Sequence, residues 1–227
     1  LSGLEKAGVK WIEMGHGKGL GANRNSDTPA VLTDEEYMEL GRETLSEARF
    51  GFIILKKFGG KKDIKLAAEK GADFVRIGSN ITETDEVEAM IKYARDQGLI
   101  VFIALMKAYA MKPGSEYVRT LKKLKKWGAD IITLMDSAGY MLGEDVEKYV
   151  TQAKINTEVR LGFHAHNNLQ LAVSNSIKAA QSGADFIDGS IGGLARSAGN
   201  APIEILAGLA QRYSWDLNFD FKKLTDV

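Results

Sequence analysis

The chain has 227 residues, with thirty Lys and Arg against thirty Asp and Glu, so no net field draws it to nucleic acid or an anionic membrane. It has no cysteine, which removes disulfides, thiolate metal sites and a cysteine nucleophile together. No apolar run nears the ~20 residues of a membrane span, and the first residues lack the basic-then-apolar order of a signal peptide, so one domain in a reducing, cytoplasmic setting is expected.

Leu1 to Lys6 reads as a helix. The stretch Ala7-Gly8-Val9-Lys10-Trp11-Ile12-Glu13-Met14-Gly15 then reads as a short buried strand, and its pattern returns from Gly71 to Gly78, Gly128 to Met135 and Gly183 to Gly189. In each, a glycine suits a helix end that needs a left-handed backbone, and β-branched or aromatic residues follow. The glycines at 8, 71, 128 and 183 are 63, 57 and 55 residues apart, room for two strand-helix units rather than one. Intermediate strands fall at Phe50 to Leu55, Leu99 to Leu105 and Glu158 to Phe163. Helices fill roughly 33–48, 61–70, 84–97, 114–127, 143–154, 169–182 and 201–212. The basic cluster Lys122, Lys123, Lys125, Lys126 lies between Leu121, Leu124 and Trp127 at helical spacing and reads as a solvated helix face.

Strict alternation of this kind implies a parallel sheet with right-handed crossovers, either closed or doubly wound. No Gly-x-Gly-x-x-Gly turn follows the first strand, and polar residues gather after many strands (His16, Asn80, Asp136, Ser137, His164, His166, Ser190), which favours a (β/α)₈ TIM barrel over a dinucleotide fold. Seven strands are visible. The helix at Leu1 would follow a strand that is not among the residues present, so the barrel is expected to lack its first strand, leaving two open edges.

Gly162-Phe163-His164-Ala165-His166-Asn167-Asn168 ends the sixth of the seven visible strands, and residues two apart on a strand share a face, so His164 and His166 can converge on one cation. The bland alternative is two histidines bonded to loop backbone. The Gly-rich loop from Gly192 to Pro202 enters a helix whose free amides could hold an anion, with Asn200 a metal ligand, a substrate contact or a helix cap. Asp136 and Ser137 could contact a substrate or cap the following helix. His16-Gly17-Lys18-Gly19 and the polar loop Asn23 to Asp27 could close over a substrate as a lid, and His16 is an acid-base candidate or a loop anchor. Lys56, Lys57 and Lys107 follow strands, but no partner pattern points to the desolvated pocket a Schiff-base lysine needs.

The run from His164 to Asn175, with Ser190 and Gly199-Asn200-Ala201-Pro202, resembles the metal-dependent family of HMG-CoA lyase, 2-isopropylmalate synthase and 4-hydroxy-2-oxovalerate aldolase, most closely the aldolase branch. That similarity also uses His16-Gly17-Lys18-Gly19, the stretch Arg76 to Asp85, Asp136-Ser137 and Trp215. The resemblance implies a class II aldolase that releases pyruvate and an aldehyde from a 4-hydroxy-2-oxo acid through a metal-stabilised enolate. It implies His164 and His166 as ligands of Mn²⁺ (or Mg²⁺, Co²⁺, Zn²⁺), with Asn200 a further ligand or an outer partner of the site, Ser137 beside the bound 2-oxo acid, Asp136 and Asn200 lining the substrate and His16 a catalytic candidate. It also implies an Arg-Asp pair on the absent first strand, the Asp completing the metal site and the Arg stabilising the enolate, and a C-terminal extension contacting an acetaldehyde dehydrogenase partner; a homo-oligomer is left open. Asn167 departs from the aldolase pattern, which has a further His there, and Lys56-Lys57-Phe58 and Lys107 replace small or apolar residues. These departures keep open a Claisen-type condensing enzyme or acyl-CoA lyase, and the missing strand keeps open a non-catalytic barrel.

Overall fold

The computed structural model describes residues 1–215 and 219–227. Its seven strands are β1 (Trp11–Glu13), β2 (Arg49–Leu55), β3 (Phe74–Asn80), β4 (Ile100–Met106), β5 (Ile131–Asp136), β6 (Arg160–Ala165) and β7 (Phe186–Ile187), and they lie side by side in chain order, all parallel. Helices α1 (Ser2–Lys6), α2 (Ala22–Asn25), α3 (Asp34–Thr44), α4 (Lys61–Glu69), α5 (Glu88–Asp96), α6 (Ser115–Trp127), α7 (Gly143–Asn156), α8 (Ala172–Gln181), α9 (Ile203–Arg212) and α10 (Phe221–Thr225) complete the chain. A doubly wound sheet reverses its strand order at a switch point; an unbroken order is that of a barrel wall. The wall curls until its two ends face each other, because the Trp11 ring of β1 lies 5.7 Å from the Phe186 ring of β7. No ladder joins β1 to β7 among the described residues, so the seam is held by side chains.

The fourfold repeat has a physical basis. Its glycines all adopt positive φ (Gly8 94°, Gly71 81°, Gly128 117°, Gly183 103°), turning each helix end into the next strand. In three copies the Asp that follows reaches back to the preceding strand: Asp73 accepts the Phe50 amide (2.9 Å), Asp130 the Val101 amide (2.8 Å) and Asp185 the Leu161 amide (2.7 Å). Each carboxylate thereby satisfies the first free N–H of an even-numbered strand and ties it to the odd strand beside it.

Inside the barrel, residues of the odd strands stack in layers. The third residue after each repeat glycine is Trp11, Phe74, Ile131 or Phe186, and these meet Phe102 of β4 in a plug at the N-terminal end of the barrel. Phe102 is 2 % exposed, with ring centroids 5.0 Å from Phe74, 5.3 Å from Trp11 and 5.6 Å from Phe186. Phe102→Ala should therefore cost about 3–5 kcal/mol of unfolding free energy, read by urea titration, since the surrounding rings cannot collapse into the space. The fifth residues, Glu13, Arg76, Thr133 and Asp188, form the layer above.

The helices bury one face each. In α6, Tyr117, Thr120, Leu121 and Leu124 are buried while Lys122, Lys125 and Lys126 stay in solvent, as the spacing predicts. The helix expected over 33–48 ends at Thr44, because the amides of Ser46, Glu47 and Ala48 are taken by the Glu5 carboxylate at 3.0, 2.7 and 2.7 Å. The one expected over 84–97 divides into a 3₁₀ turn, Ile81–Val87, and α5. No helix of the described residues is long and apolar enough to cross a membrane.

Candidate active site

The C-terminal ends of the strands carry the polar residues. His164 is the fifth residue of β6 and His166 lies just past the strand, with ring centroids 5.3 Å apart and planes at 69°. The two imidazoles do converge, and the separation suits two rings sharing a cation about 2.0–2.1 Å from one nitrogen of each. His164 Nδ1 lies 3.2 Å from Asp188 Oδ2, which leaves Nε2 for a ligand. His166 Nδ1 is buried with no partner. Burial pushes the His166 pKa down, and the adjacent His164 adds to the shift, so its imidazole favours the neutral form that binds metals.

Asn200 is brought to the pair by backbone. Residues His166 and Asn200 form an antiparallel bridge, the Asn167 amide donates to Gly199 O (2.9 Å), and Asn168 Nδ2 donates to Ser197 Oγ (2.8 Å). Asn200 is not a helix cap: α9 begins at Ile203 after Pro202, and Asn200 Oδ1 is buried and unpartnered. A buried amide oxygen without a donor, on a residue bridged to His166, offers one oxygen to go with the two imidazole nitrogens, a set of donor types that fits a divalent cation. Among the described residues no cluster of three His, Asp or Glu could hold a metal, so the carboxylate ligand that the resemblance implies is not among them.

Asp136, at the end of β5, is fully buried and gives its carboxylate to the following turn, accepting from the Tyr140 amide at 3.2 Å and the Met141 amide at 3.0 Å. Burial pushes its pKa up despite these amides. In the same turn Gly139 has φ +59°, and a Cβ there would lie 2.5 Å from His166 O, so this turn braces the histidine loop and admits only glycine. Ser137 is partly exposed, and its Oγ accepts the Lys107 amide at 2.9 Å, leaving its own proton to donate. Lys107 holds a left-handed backbone, φ 52°, unusual for a non-glycine residue and frequent at functional sites.

His16 serves as an anchor. Its Nε2 lies 2.6 Å from Thr28 O and its Nδ1 accepts the Lys18 amide at 2.9 Å. The segment Asn23 to Asp27 begins as α2 rather than as an open lid: Asn23 bonds Leu32 O and the Ala30 amide, and Arg24 pairs with the buried Asp63. Arg196 donates to Gly17 O, bridging the loops after β7 and β1 over the seam.

Below the histidines lies a charged group that the sequence reading did not single out. Arg76 forks onto Asp188, with Nη1 on Oδ2 and Nη2 3.2 Å from Oδ1, and its Nε lies 3.1 Å from Glu13 Oε2. Burial works against the Asp188 charge, but the guanidinium outweighs it and holds the carboxyl well below the usual range. The signal was present: polar residues at a fixed offset within otherwise apolar strands.

The HMGL-like family model matches residues 1–227. The chain is 37 % identical over 225 residues to 4-hydroxy-2-oxovalerate aldolase of Moorella thermoacetica, covering 99 % of this chain and 66 % of that protein. It is 39 % identical over 224 residues to the same-named protein of Spirochaeta aurantia, covering 98 % and 65 %. The chain thus spans about two thirds of the length of these curated relatives. In fold it is similar to the N-terminal domain of a candidate aldolase from Bacteroides vulgatus, with TM-score 0.80 and 24 % identity over 99 % of this chain and 75 % of that one. It is also similar to the carboxyl transferase domain of Rhizobium etli pyruvate carboxylase, with TM-score 0.75 and 16 % identity over 86 % and 36 %.

Proposed function

The chain belongs to the HMGL-like family, and on that premise we propose that it forms the barrel of a divalent-metal-dependent class II aldolase, cleaving a 4-hydroxy-2-oxo acid to pyruvate and an aldehyde. The observation that carries the reading is the pair of imidazoles, with ring centroids 5.3 Å apart at a barrel mouth, next to Asn200, whose backbone bridges that of His166 and whose side-chain oxygen is buried without a partner. The names of the relatives choose the substrate class.

In this reading His164, His166 and Asn200 hold the cation, with Mn²⁺ the first choice. When bound, a divalent ion supplies positive charge where negative charge develops on the oxygen of a 2-oxo acid as its carbon-carbon bond cleaves. Ser137 donates its hydroxyl proton to an oxygen of the same acid, held in place by the Lys107 amide. Asp136 fixes the turn that carries Ser137 and does not itself reach the substrate. His16 keeps the β1 loop closed on Thr28; serving as a base would require it to release that contact.

Pyruvate release from a racemic 4-hydroxy-2-oxo acid should stop in excess EDTA and return with Mn²⁺. Full activity in EDTA would end the proposal. Turnover of acetyl-CoA with a 2-oxo acid, and none of the hydroxy acid, would assign the chain to the condensing branch instead.

A further inference from the structure

The geometry points to Asp188 as the positioning residue that fixes the tautomer and ring rotation of His164, with Arg76 as the clamp that holds Asp188 in place. His164 sits at a strand end, where the two-fold χ2 torsion of an imidazole allows the ring to flip and exchange nitrogen for carbon. A neutral imidazole also chooses which nitrogen carries the proton, and only a partner on the other nitrogen decides it. Asp188 Oδ2, 3.2 Å from His164 Nδ1, is an acceptor with no proton to give, so it places the hydrogen on Nδ1 and the lone pair on Nε2.

The carboxylate cannot swing away. It stands just past β7, both of its oxygens are engaged by the Arg76 fork, and Arg76 is 9 % exposed in the middle of β3. Those contacts cross the barrel, tying the histidine strand to two others. His166 is the internal contrast: its Nδ1 is buried and has no hydrogen-bond partner.

The part of this inference that concerns metal affinity rests on the proposed function; the tautomer does not. Nitrogen-15 spectra of the metal-free, histidine-labelled protein at mildly alkaline pH should show His164 protonated on Nδ1. A wild-type spectrum with the proton on Nε2 overturns the assignment whether or not any variant folds. Asp188→Asn should lose the tautomer preference of His164, leave the His166 signals in place, and weaken Mn²⁺ binding, by calorimetry, about 10- to 100-fold, the usual cost of removing an outer partner of a ligand. Asp188→Asn binding within twofold of the parent would overturn the positioning role. Arg76→Lys keeps the charge but not the fork, and should give a smaller loss of affinity with the Nδ1 proton retained; a loss equal to that of Asp188→Asn would assign the effect to the barrel as a whole. A parent chain with no Mn²⁺ affinity but with the Nδ1 proton in place would defeat the proposed function and leave the tautomer assignment standing.

Discussion

Replacing His164 with alanine is expected to abolish measurable Mn²⁺ binding and aldol cleavage together, while leaving the unfolding midpoint close to that of the parent. The loss should exceed the roughly 10- to 100-fold cost of removing an outer partner, because a ligand itself is gone and one imidazole with an amide oxygen holds a cation weakly. Stability should change little because Asp188 keeps both bonds to Arg76, so no buried charge is stranded. His16→Ala is the matching control. Its ring bonds lie within its own loop, to Thr28 O and the Lys18 amide, so metal content should be unchanged while the segment from His16 to Thr28 exchanges its amides faster. Metal analysis after gel filtration, with a pyruvate assay, distinguishes the two. Unchanged metal content in His164→Ala, or its loss in His16→Ala, would move the site elsewhere.

The order of elements was legible because this fold repeats itself. Each odd-numbered strand is announced by a glycine that must turn left-handed and by a run of β-branched and aromatic residues, and every strand read from the sequence is present with its bounds shifted by a few residues. The short elements were not legible. Ala22–Asn25 forms a helical turn only because Gly21 donates to the buried Asp34 and Arg24 reaches Asp63, contacts 13 and 39 residues away in sequence. The His-x-His pair was readable from strand alternation alone, and so was its convergence. The support beneath it was not. Glu13, Arg76 and Asp188 look like isolated charges in three apolar strands, and only the curl of the sheet brings β1, β3 and β7 to one point. Loop roles were undecided for a similar reason: Ser137 and Asp136 are adjacent, yet one faces the Lys107 amide and the other the turn of Met141. Nothing local to the sequence separates those two outcomes.

Arg76→Met should be the most destabilising single change at the site, costing about 3–5 kcal/mol at neutral pH by urea unfolding. The guanidinium is the only cation that the structure places against Asp188 among the described residues, apart from a protonated His164, and it also meets Glu13. Its removal leaves the Asp188 carboxylate buried near that of Glu13 with no guanidinium between them, where the penalty is that of an unpaired buried charge rather than of one lost hydrogen bond. The pH dependence distinguishes this cause from a packing defect. In the parent chain the folded Asp188 carboxyl titrates below its unfolded value of about 4, so its contribution is complete above that pH and fades as acid passes down through the folded value. Without the cation, burial raises the folded value above the unfolded one and the sign reverses. The deficit of Arg76→Met should then be largest at neutral pH and shrink as the pH falls towards about 4. Adding Asp188→Leu to Arg76→Met removes the stranded charge and should recover most of the loss, as apolar replacement of a buried pair commonly does. A deficit that is constant with pH and unaltered in the double variant would mean that Arg76 acts through the packing of its aliphatic stem against Phe102, over whose ring its guanidinium carbon lies at 5.5 Å from the centroid, and not through its charge.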